Sequence, residues 1–537
     1  MKNKMKLIAL TLIVALSMSL LAACGGSDKD SDGGRTTGSD ATTTSSSSGE
    51  QKQEQKEEKT IHPMRYVQPG NLPPDYETGI KAVNEKLQAD GYDIEVEIIR
   101  IPWDAYDQKL NLMLSSGDEF ELIHVMQDVK NISALASRDA LLPIDDYLDK
   151  YPDLVKMFSE KEWQAGKYKG QIYAVPVYWR SFDNALGYMT VRYDVMKKYT
   201  DKLPDTPEGI IDLMKKMQAD IKEEVGKTSY HWPHQLAMAP GWLHRMYDTF
   251  PFYVENSLNI VLIRQDGTVD SYFESEEFKK DAYYYRQMYT AGLINPDILN
   301  ATHEEKYDEV KIGAFLPSET FGYGDLVGLK ENIPTADIEV MFTAPEKPNM
   351  IYTLAQNLNA VSATAEDPES GLKFLDWLYK SKENHDLFHY GIEGVHYTAS
   401  ADNRIDQKKD ASNNVLYYMD TWMSGYLPFL RYAETMPEKG IEFDQFKSEN
   451  YVVSPAAGFL FDATNVQSEL AALQTEIIAS IYPIKYGLVE YDEAFPAALQ
   501  RLKAAGLDKY LEEYRTQFAK YLEENPDVLE QAKGTAK

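Results

Sequence analysis

Cysteine is almost absent from this 537-residue chain, in which Cys24 is the only one. A single thiol excludes an intrachain disulfide, a zinc site built from several cysteines and an iron–sulfur cluster. Basic residues are also few, with 55 Lys and Arg against 85 Asp and Glu, so the formal net charge is −30. This charge disfavours nucleic acid and anionic membrane surfaces as direct partners. The hydrophobic fraction of 43% provides a large core without disulfides.

Common catalytic and cofactor motifs are missing as well. No G-x-S-x-G elbow is present, and His303-Glu304-Glu305 lacks the second histidine of a zinc protease helix. Gly226-Lys227-Thr228 lacks the glycine that a P-loop carries five residues earlier. A metal held by His231, His234 and His244 would need a fourth ligand that the sequence does not indicate. We therefore expect no catalytic residue, no metal and no cofactor.

The amino-terminal residues have the pattern of an export signal. Three lysines precede the uncharged run 7–23, which at 17 residues is slightly short for a helix that spans a membrane, since such a helix needs about 20 apolar residues. Leu21-Ala22-Ala23-Cys24-Gly25 resembles a bacterial lipobox, in which the signal is cleaved before the cysteine and the thiol receives a lipid. We predict a lipoprotein signal peptide over 1–23 and lipidation of Cys24, which places the protein on the extracellular face of the bacterial cell membrane. The alternative is a plain secretory signal.

A polar spacer separates this segment from the globular part. Between Cys24 and Ile61, Ala41 is the only hydrophobic residue. Such a segment buries too little apolar surface to offset its chain entropy. We predict a disordered tether over 24–60.

The globular part alternates between helical and extended patterns. Helix, strand, helix and strand follow one another between Asp75 and Met126, which predicts an α/β fold with a mostly parallel sheet. Residues 171–176 form an extended segment that should leave its sheet at Pro176, because proline has no N–H to donate. The same signals predict helices over 208–224, 276–290, 368–380 and from 493 onward, a hairpin at Asp266-Gly267, and strands over 340–344 and 357–362.

Aromatic residues are abundant, with 37 Tyr, 19 Phe and 7 Trp. Tyr and Trp combine a flat apolar face with a polar tip, which suits the C–H faces and hydroxyls of sugars. Trp103 follows a predicted strand, at the edge where open α/β sheets bind ligands, and Trp179 follows the extended segment 171–176. Trp242 and Trp422 lie in segments that contain glycine or proline. We predict ligand contacts for these four tryptophans, with local packing as the alternative for each.

Seven further stretches follow the patterns of one protein family. They are Ser116–Ile123, Leu142–Leu148, Gly170–Pro176, Phe278–Ile294, Gly391–Tyr397, Gly458–Asp462 and Arg501–Asp508. Together they resemble the family 1 extracellular solute-binding proteins of ABC importers, of the maltose-binding-protein type. The match is closer to the Gram-positive sugar-importer lipoproteins that carry an extra C-terminal domain of unknown function. Glu121, Val395 and Tyr426 depart from the family's usual residues, so the sequence names no particular sugar.

The resemblance implies a two-lobe, periplasmic-binding-protein-like (type II) α/β fold with an interlobe cleft, hinge strands and a C-terminal helical extension. It places lobe 1 at 61–176 and 342–392, lobe 2 at 177–341 and 397–460, and the appended domain at 458–537. Crossings between the lobes are expected near 175–179, 341–346 and 391–397.

Five more residues complete the expected ligand-binding set: Asp118, Tyr178, Arg180, Glu393 and Tyr397. Tyr178 and Arg180 flank Trp179 after the first crossing. Glu393 stands between two glycines that let the backbone turn sharply and approach a ligand closely. The alternative is that Glu393 caps a helix or pairs with an arginine to hold the hinge.

The resemblance implies that the chain is not an enzyme, and the expected function is that of a substrate-binding lipoprotein of an ABC importer. It would capture an oligosaccharide or other sugar as a monomer and deliver it to permease subunits in the membrane. Two alternatives remain: a peptide or other non-sugar solute bound on the same fold, and a surface glycan-degrading enzyme. A ligand panel read by thermal shift tests the first, and a turnover assay on glycans tests the second.

Overall fold

The computed structural model describes residues 60–127, 131–180, 187–233, 239–255, 258–319, 322–400, 403–445 and 450–533. The expected signal peptide, all but the last residue of the expected tether, and Cys24 lie outside these ranges. Within them, every helix is too short or too polar to cross a membrane.

The described strands are, in chain order, β1 His62–Pro69, β2 Ile94–Ile101, β3 Leu122–Met126, β4 Lys167–Tyr168, β5 Gln171–Ile172, β6 Ala174–Pro176, β7 Tyr188–Arg192, β8 Phe252–Val254, β9 Val261–Arg264, β10 Val269–Ser271, β11 Ile338–Phe342, β12 Asn349–Ile351, β13 Asn357–Val361, β14 Tyr397–Ala399, β15 Arg404–Gln407, β16 Tyr432–Ala433 and β17 Tyr451–Val453.

The described helices are α1 Tyr76–Ala89, α2 Tyr106–Ser116, α3 Ile132–Ala136, α4 Asp145–Leu148, α5 Pro152–Lys156, α6 Glu160–Gln164, α7 Tyr193–Met196, α8 Pro207–Val225, α9 Gly241–Met246, α10 Glu276–Thr290, α11 His303–Lys311, α12 Asp325–Asn332, α13 Pro368–Lys380, α14 Lys382–Tyr390, α15 Thr421–Ser424, α16 Glu438–Asp444, α17 Gln467–Glu476, α18 Tyr482–Lys485, α19 Tyr491–Ala504, α20 Leu507–Glu524 and α21 Val528–Ala532. Short 3-10 turns cover Trp103–Ala105, Leu427–Phe429 and Ala463–Val466, and a π-helical turn covers Ile477–Ile481.

Lobe 1 is built on a five-stranded sheet in the order β2-β1-β3-β13-β6. β1 runs parallel to β2 and β3, as the alternation of helix and strand predicts. β13 is antiparallel to both of its neighbours, because the chain re-enters this sheet from the other lobe. β6 lies at the sheet edge and ends at Pro176, as predicted.

Successive residues of the lobe 1 strands point to opposite faces of the sheet, and each face carries its own apolar core. Leu122 packs with the core under α1 and α13, whereas the next residue, Ile123, packs with the core that contains Leu110 of α2. Helices therefore cover both faces of the sheet. The carboxyl ends of its parallel strands are left as the edge that can face a ligand.

Lobe 2 has its own core, separate from the two cores of lobe 1. It contains the antiparallel pair β7–β11, the antiparallel strands β8, β9 and β10, and the apolar faces of α8 and α10. Asp266-Gly267 forms the predicted hairpin between β9 and β10. The same core continues into the C-terminal helices through Leu473, Leu502 and Tyr514.

The C-terminal extension therefore packs on lobe 2 and shares its core. Gly487 shows how closely the two fit, since a Cβ at this position would lie 2.4 Å from the carbonyl oxygen of Tyr285. Lys485 is 2% exposed and donates to Asn259 Oδ1 at 2.9 Å. Burial lowers the pKa of Lys485 to about 7.

The first two crossings lie next to each other between the lobes. One follows β6 and the other joins β11 to β13. The Thr343 N–H donates to the Gly187 carbonyl oxygen at 2.9 Å, which ties the two connections together. We propose these two connections as the crossings expected near 175–179 and 341–346.

The turn 391–397, expected as the third crossing, stays on lobe 1. His396 Nε2 lies 3.1 Å from Asp75 Oδ2 at the start of α1. The residues that follow stay there too, because Tyr417 and Met419 belong to the lobe 1 core.

The chain passes to lobe 2 after β16, although Lys409 and Asn413 already bond to Glu331 of α12 across the lobes. Lys439 of α16 lies 3.1 Å from Asp337, which precedes β11. The expected assignment of 397–460 to lobe 2 is corrected accordingly: residues up to about 433 pack on lobe 1, and we propose the boundary there.

Candidate functional site

A cavity of about 400 Å³ opens between the carboxyl edge of the lobe 1 sheet and α11 of lobe 2. This volume lies within the ~300–1,000 Å³ that small-molecule sites usually have. Its lobe 1 side includes Gly70, Asn71, Trp103, Tyr418 and Asp420, and its lobe 2 side includes Glu304, Tyr307, Asp308 and Lys311. Both lobes thus contribute aromatic and hydrogen-bonding groups to one space.

The structure brings together two of the predicted tryptophans at this edge. The ring centroids of Trp103 and Trp422 are 5.8 Å apart with an interplanar angle of 22°, which is a stacked arrangement. Trp422 also packs edge-on against His124, with centroids 4.9 Å apart. Trp103 and Trp422 are both half-buried. We call this stacked pair the tryptophan platform.

The platform is held on the sheet by buried hydrogen bonds. The Met423 carbonyl oxygen, next to Trp422, accepts from Asn359 Nδ2 at 3.1 Å and from the Tyr66 hydroxyl at 3.2 Å. On the other side, Arg100 Nη1 donates to Asp420 Oδ2 at 3.0 Å and to the Pro69 carbonyl oxygen at 2.7 Å. These bonds fix the cavity's aromatic and acidic groups relative to the strands.

The main chain at Gly70 also borders the cavity and packs closely against Arg100. Gly70 has a φ of +99°, and a Cβ there would lie 3.3 Å from Arg100 Nη1. Glycine adopts this left-handed conformation without strain, whereas other residues do so rarely. Arg100 can therefore reach Asp420 while the cavity floor stays open beside Asn71.

His124 beneath the platform is neutral. Burial lowers its pKa to about 4, although hydrogen bonds to Asn357 and Asn359 oppose this shift. His124 Nε2 lies 3.2 Å from Asn357 Oδ1, and Nδ1 lies 3.3 Å from Asn359 Oδ1. A neutral imidazole adds polar contacts to the sheet edge without a buried charge.

Tyr178, Trp179 and Arg180 lie at the first crossing. Arg180 stacks on Trp179, with its guanidinium carbon 4.4 Å from the ring centroid. Arg180 Nη2 also lies 2.9 Å from Asp444 Oδ1, and burial raises the pKa of Asp444 despite this cation. Tyr178 pairs with the ring of Tyr426 at 6.1 Å. The structure thus groups these three residues at the hinge, next to α16.

Asp118 and Trp242 are not brought to the cavity. Asp118 precedes β3, so it lies at the amino edge of the sheet, opposite Trp103. Its carboxylate accepts from Ser116 Oγ at 2.7 Å. Trp242 is fully buried in the lobe 2 core and leaves no face for a ligand. We therefore remove both residues from the proposed site.

Glu393 and Tyr397 also lie away from the cavity. The Gly394 N–H donates to the Tyr397 carbonyl oxygen at 2.7 Å, so the glycine-flanked turn closes on itself. Glu393 is exposed. Tyr397 is 4% exposed and packs against Tyr390 with ring centroids 6.3 Å apart. The expected contact of this turn with a ligand is corrected on these grounds.

Several groups that line the cavity could not be predicted from the sequence. Asn71 lies just after β1. This strand has a proline near each end, and its apolar and polar residues alternate only weakly. Tyr418 and Asp420 lie in an irregular segment. Their closeness to Trp422 in the sequence is the only feature that points to a place at the cavity. Tyr307 and Lys311 lie on α11, and no local pattern shows that this helix faces lobe 1. In the described ranges, no three His, Cys, Asp or Glu side chains cluster in a way that could hold a metal ion.

Comparison with known proteins identifies related chains. Residues 70–385 match the family described as bacterial extracellular solute-binding protein, and residues 455–523 match a domain of unknown function. A carbohydrate ABC transporter substrate-binding protein of Streptococcus pneumoniae is 24% identical over 464 residues, which cover 85% of this chain and 89% of that protein. The polygalacturonan/rhamnogalacturonan-binding protein YtcQ of Bacillus subtilis is 21% identical and covers 76% of this chain and 77% of its own.

Solved structures share the fold. The N-glycan transport solute-binding protein NgtS of Streptococcus pneumoniae, in complex with Man5GlcNAc, superposes with a TM-score of 0.68 at 21% identity, over 86% of this chain and 99% of that chain. An ABC-transporter-associated solute-binding protein of Bifidobacterium longum infantis, described as HMO-binding, gives a TM-score of 0.60 at 16% identity, over 86% of this chain and 99% of that chain.

Proposed function

This chain belongs to the bacterial extracellular solute-binding protein family, and we propose that it is the carbohydrate-binding component of an ABC importer. The observation that carries the proposal is that Trp103 of the tryptophan platform lines an interlobe cavity together with carboxylates and an amide, while Trp422 stacks behind it. A sugar ring presents C–H groups to an aromatic face while its hydroxyls bond to Asp420, Asp308 and Asn71. Hydrogen bonds to ionised carboxylates are the stronger kind. The ligand is bound and released without covalent change.

Closure of the two lobes would couple binding to delivery. Trp103 and Asp420 belong to lobe 1, whereas Tyr307 and Lys311 belong to lobe 2. A ligand that touches both groups favours the closed state by the difference in its affinity for the two states. We propose that the closed form is the one presented to permease subunits in the membrane.

We propose an oligosaccharide as the ligand class. The cavity volume supports more than one sugar unit, and the relatives named above are described as binding glycans. We further propose that the chain acts as a monomer on the outer face of the cell membrane. The sequence Leu21-Ala22-Ala23-Cys24 supports a lipid anchor at the only cysteine.

A glycan panel tests the proposal directly. Purified protein is titrated by calorimetry with Man1GlcNAc, Man5GlcNAc, kestose and polygalacturonan fragments, and each mixture is melted. We expect saturable binding of at least one glycan and a rise in melting temperature with its concentration, because ligand binds only the folded state. Peptide pools serve as the comparison. Binding to peptides with no binding to any glycan would overturn the carbohydrate assignment.

A further inference from the structure

A second recess, of about 70 Å³, lies along the same edge of the lobe 1 sheet. Gln127 follows β3 and Gln356 precedes β13, two and three strands away from β2, which Trp103 follows. Neighbouring strands are about 4.8 Å apart, so the recess begins roughly 10–14 Å from Trp103. Trp422 packs on His124 of β3 and so extends the tryptophan platform toward the recess.

The recess also has an aromatic wall. Tyr253 of β8 and Tyr352 of the second crossing stack with ring centroids 5.5 Å apart and an interplanar angle of 17°. Both rings are half-buried and line the recess. This stacked pair resembles the tryptophan platform farther along the same edge of the lobe 1 sheet.

The polar lining is almost uncharged. Among the described residues around the recess, Glu255 is the only one with a carboxylate, and none is basic. Gln127 holds the start of α3 through an N–H of Ile132 at 3.1 Å, so it shapes the wall. Gln164 at the end of α6 is exposed and has an amide that can both donate and accept. Amides beside an aromatic face match neutral hydroxyls rather than phosphates or metal ions.

The C-terminal domain supplies the last wall, Ala456–Phe461. The carboxyl end of this segment is held from two sides. The Phe461 carbonyl oxygen accepts from Ser133 Oγ of lobe 1 at 2.7 Å. Gln517 of α20 bonds to both main-chain groups of Asp462, at 2.8 and 2.9 Å. The wall is therefore held in place before any ligand arrives.

We propose that this recess is a second saccharide subsite, which receives the far end of an oligosaccharide whose near end lies on Trp103 and Trp422. The C-terminal domain then sets the length of chain that fits, because Ala456–Phe461 closes the cleft at that end. This inference rests on the proposed function.

The test compares a short and a long glycan on the full chain. Man1GlcNAc and Man5GlcNAc are titrated by calorimetry into native protein, Tyr352→Ala and Tyr352→Phe; if neither binds, the shortest and longest glycans that bind in the panel replace them. We expect Tyr352→Ala to weaken the long glycan about tenfold, the loss of roughly one stacking contact, and to leave the short glycan within twofold. Tyr352→Phe keeps the ring and should stay within threefold for both.

Two further variants keep the result interpretable. Gln164→Ala changes an exposed side chain and should weaken the long glycan alone, by about threefold. Tyr283→Ala removes a tyrosine of α10 that lines neither cavity and should change neither affinity. Equal losses for both glycans, or none for either while native protein binds them, would overturn the subsite. Failure of native protein to bind any glycan would instead overturn the proposed function, and this inference with it.

Discussion

Replacing Trp103 by alanine removes one face of the tryptophan platform and tests its role most directly. Trp103 is half-buried and stacks on Trp422 at 5.8 Å. Burial of a large apolar side chain against a ligand contributes about 1.5–3 kcal/mol. We therefore expect the dissociation constant for the bound glycan to rise roughly 10- to 150-fold, since 1.4 kcal/mol corresponds to a factor of ten.

The same change should affect stability much less. An aromatic pair contributes about 0.5–1.5 kcal/mol beyond its buried area, and the sheet beneath keeps its own hydrogen bonds. The matched control is Trp163→Phe in the same lobe. Trp163 is 6% exposed, donates to the Val155 carbonyl oxygen at 3.1 Å and lines neither cavity. The control should lower the melting temperature and leave affinity unchanged.

Calorimetric titration beside thermal melting separates the two effects, and a double-mutant cycle sharpens the test. Because Trp103 and Trp422 touch, the losses in Trp103→Ala and Trp422→Ala should not add in the double variant. An unchanged dissociation constant in Trp103→Ala would refute the platform. If affinity and melting temperature fall in proportion across all variants, both tryptophans have a packing role and the platform does not bind the ligand.

Three further predictions concern Asp420, two buried histidines and Cys24. Asp420→Asn removes a charged acceptor that Arg100 holds at 3.0 Å, so titration should show glycan binding weakened about tenfold. Asp308→Asn on the opposite wall is the comparison variant. An affinity of Asp420→Asn equal to that of native protein would contradict the role of Asp420. His124 and His389 are buried, and burial lowers their pKa values to about 4. The unfolded chain therefore binds protons at a higher pH than the folded chain does. Urea unfolding should show the free energy of unfolding falling as the pH drops from 6.5 to 4, by on the order of 3 kcal/mol per histidine. His389→Gln should flatten that pH dependence; an unchanged slope would contradict it. Cys24→Ser should abolish lipid labelling and membrane association in cells, and labelling equal to that of native protein would rule out the anchor.

Much of the fold could be predicted because local signals and tertiary packing agree. In α1, Ile80, Val83 and Leu87 have helical spacing and are buried as that spacing indicates. Asp367 caps α13 and Pro368 begins it, as predicted. The family stretches supplied the two-lobe arrangement, which periodicity alone does not contain.

The third crossing could not be predicted from local pattern. Glycines at 391 and 394 signal a sharp turn but not which lobe the turn contacts. That choice depends on His396 meeting Asp75 and on Tyr417 entering the lobe 1 core, contacts between residues over 300 positions apart. The expected ligand contacts of Glu393 and Tyr397 depended on this turn crossing between the lobes, and the turn stays on lobe 1.

The positions of the tryptophans could be predicted only in part, for a related reason. Trp103 directly follows a recognisable strand, so the edge rule predicts a position at the carboxyl edge of the sheet, where the structure has it. Trp242 also lies beside glycine and proline, yet its surroundings bury it in the lobe 2 core. A loop-like sequence says that regular structure ends there. It does not say whether the side chain points to water or to the core.

The shared core of lobe 2 and the C-terminal helices has a consequence for how the chain is made. Lobe 1 needs residues as late as Met419, and lobe 2 needs residues as late as Phe518, before their cores are filled. Neither lobe can reach its native packing while only the first half of the chain has emerged. Folding therefore has to wait for nearly the whole polypeptide, and lobe 1 can be completed about a hundred residues earlier than lobe 2.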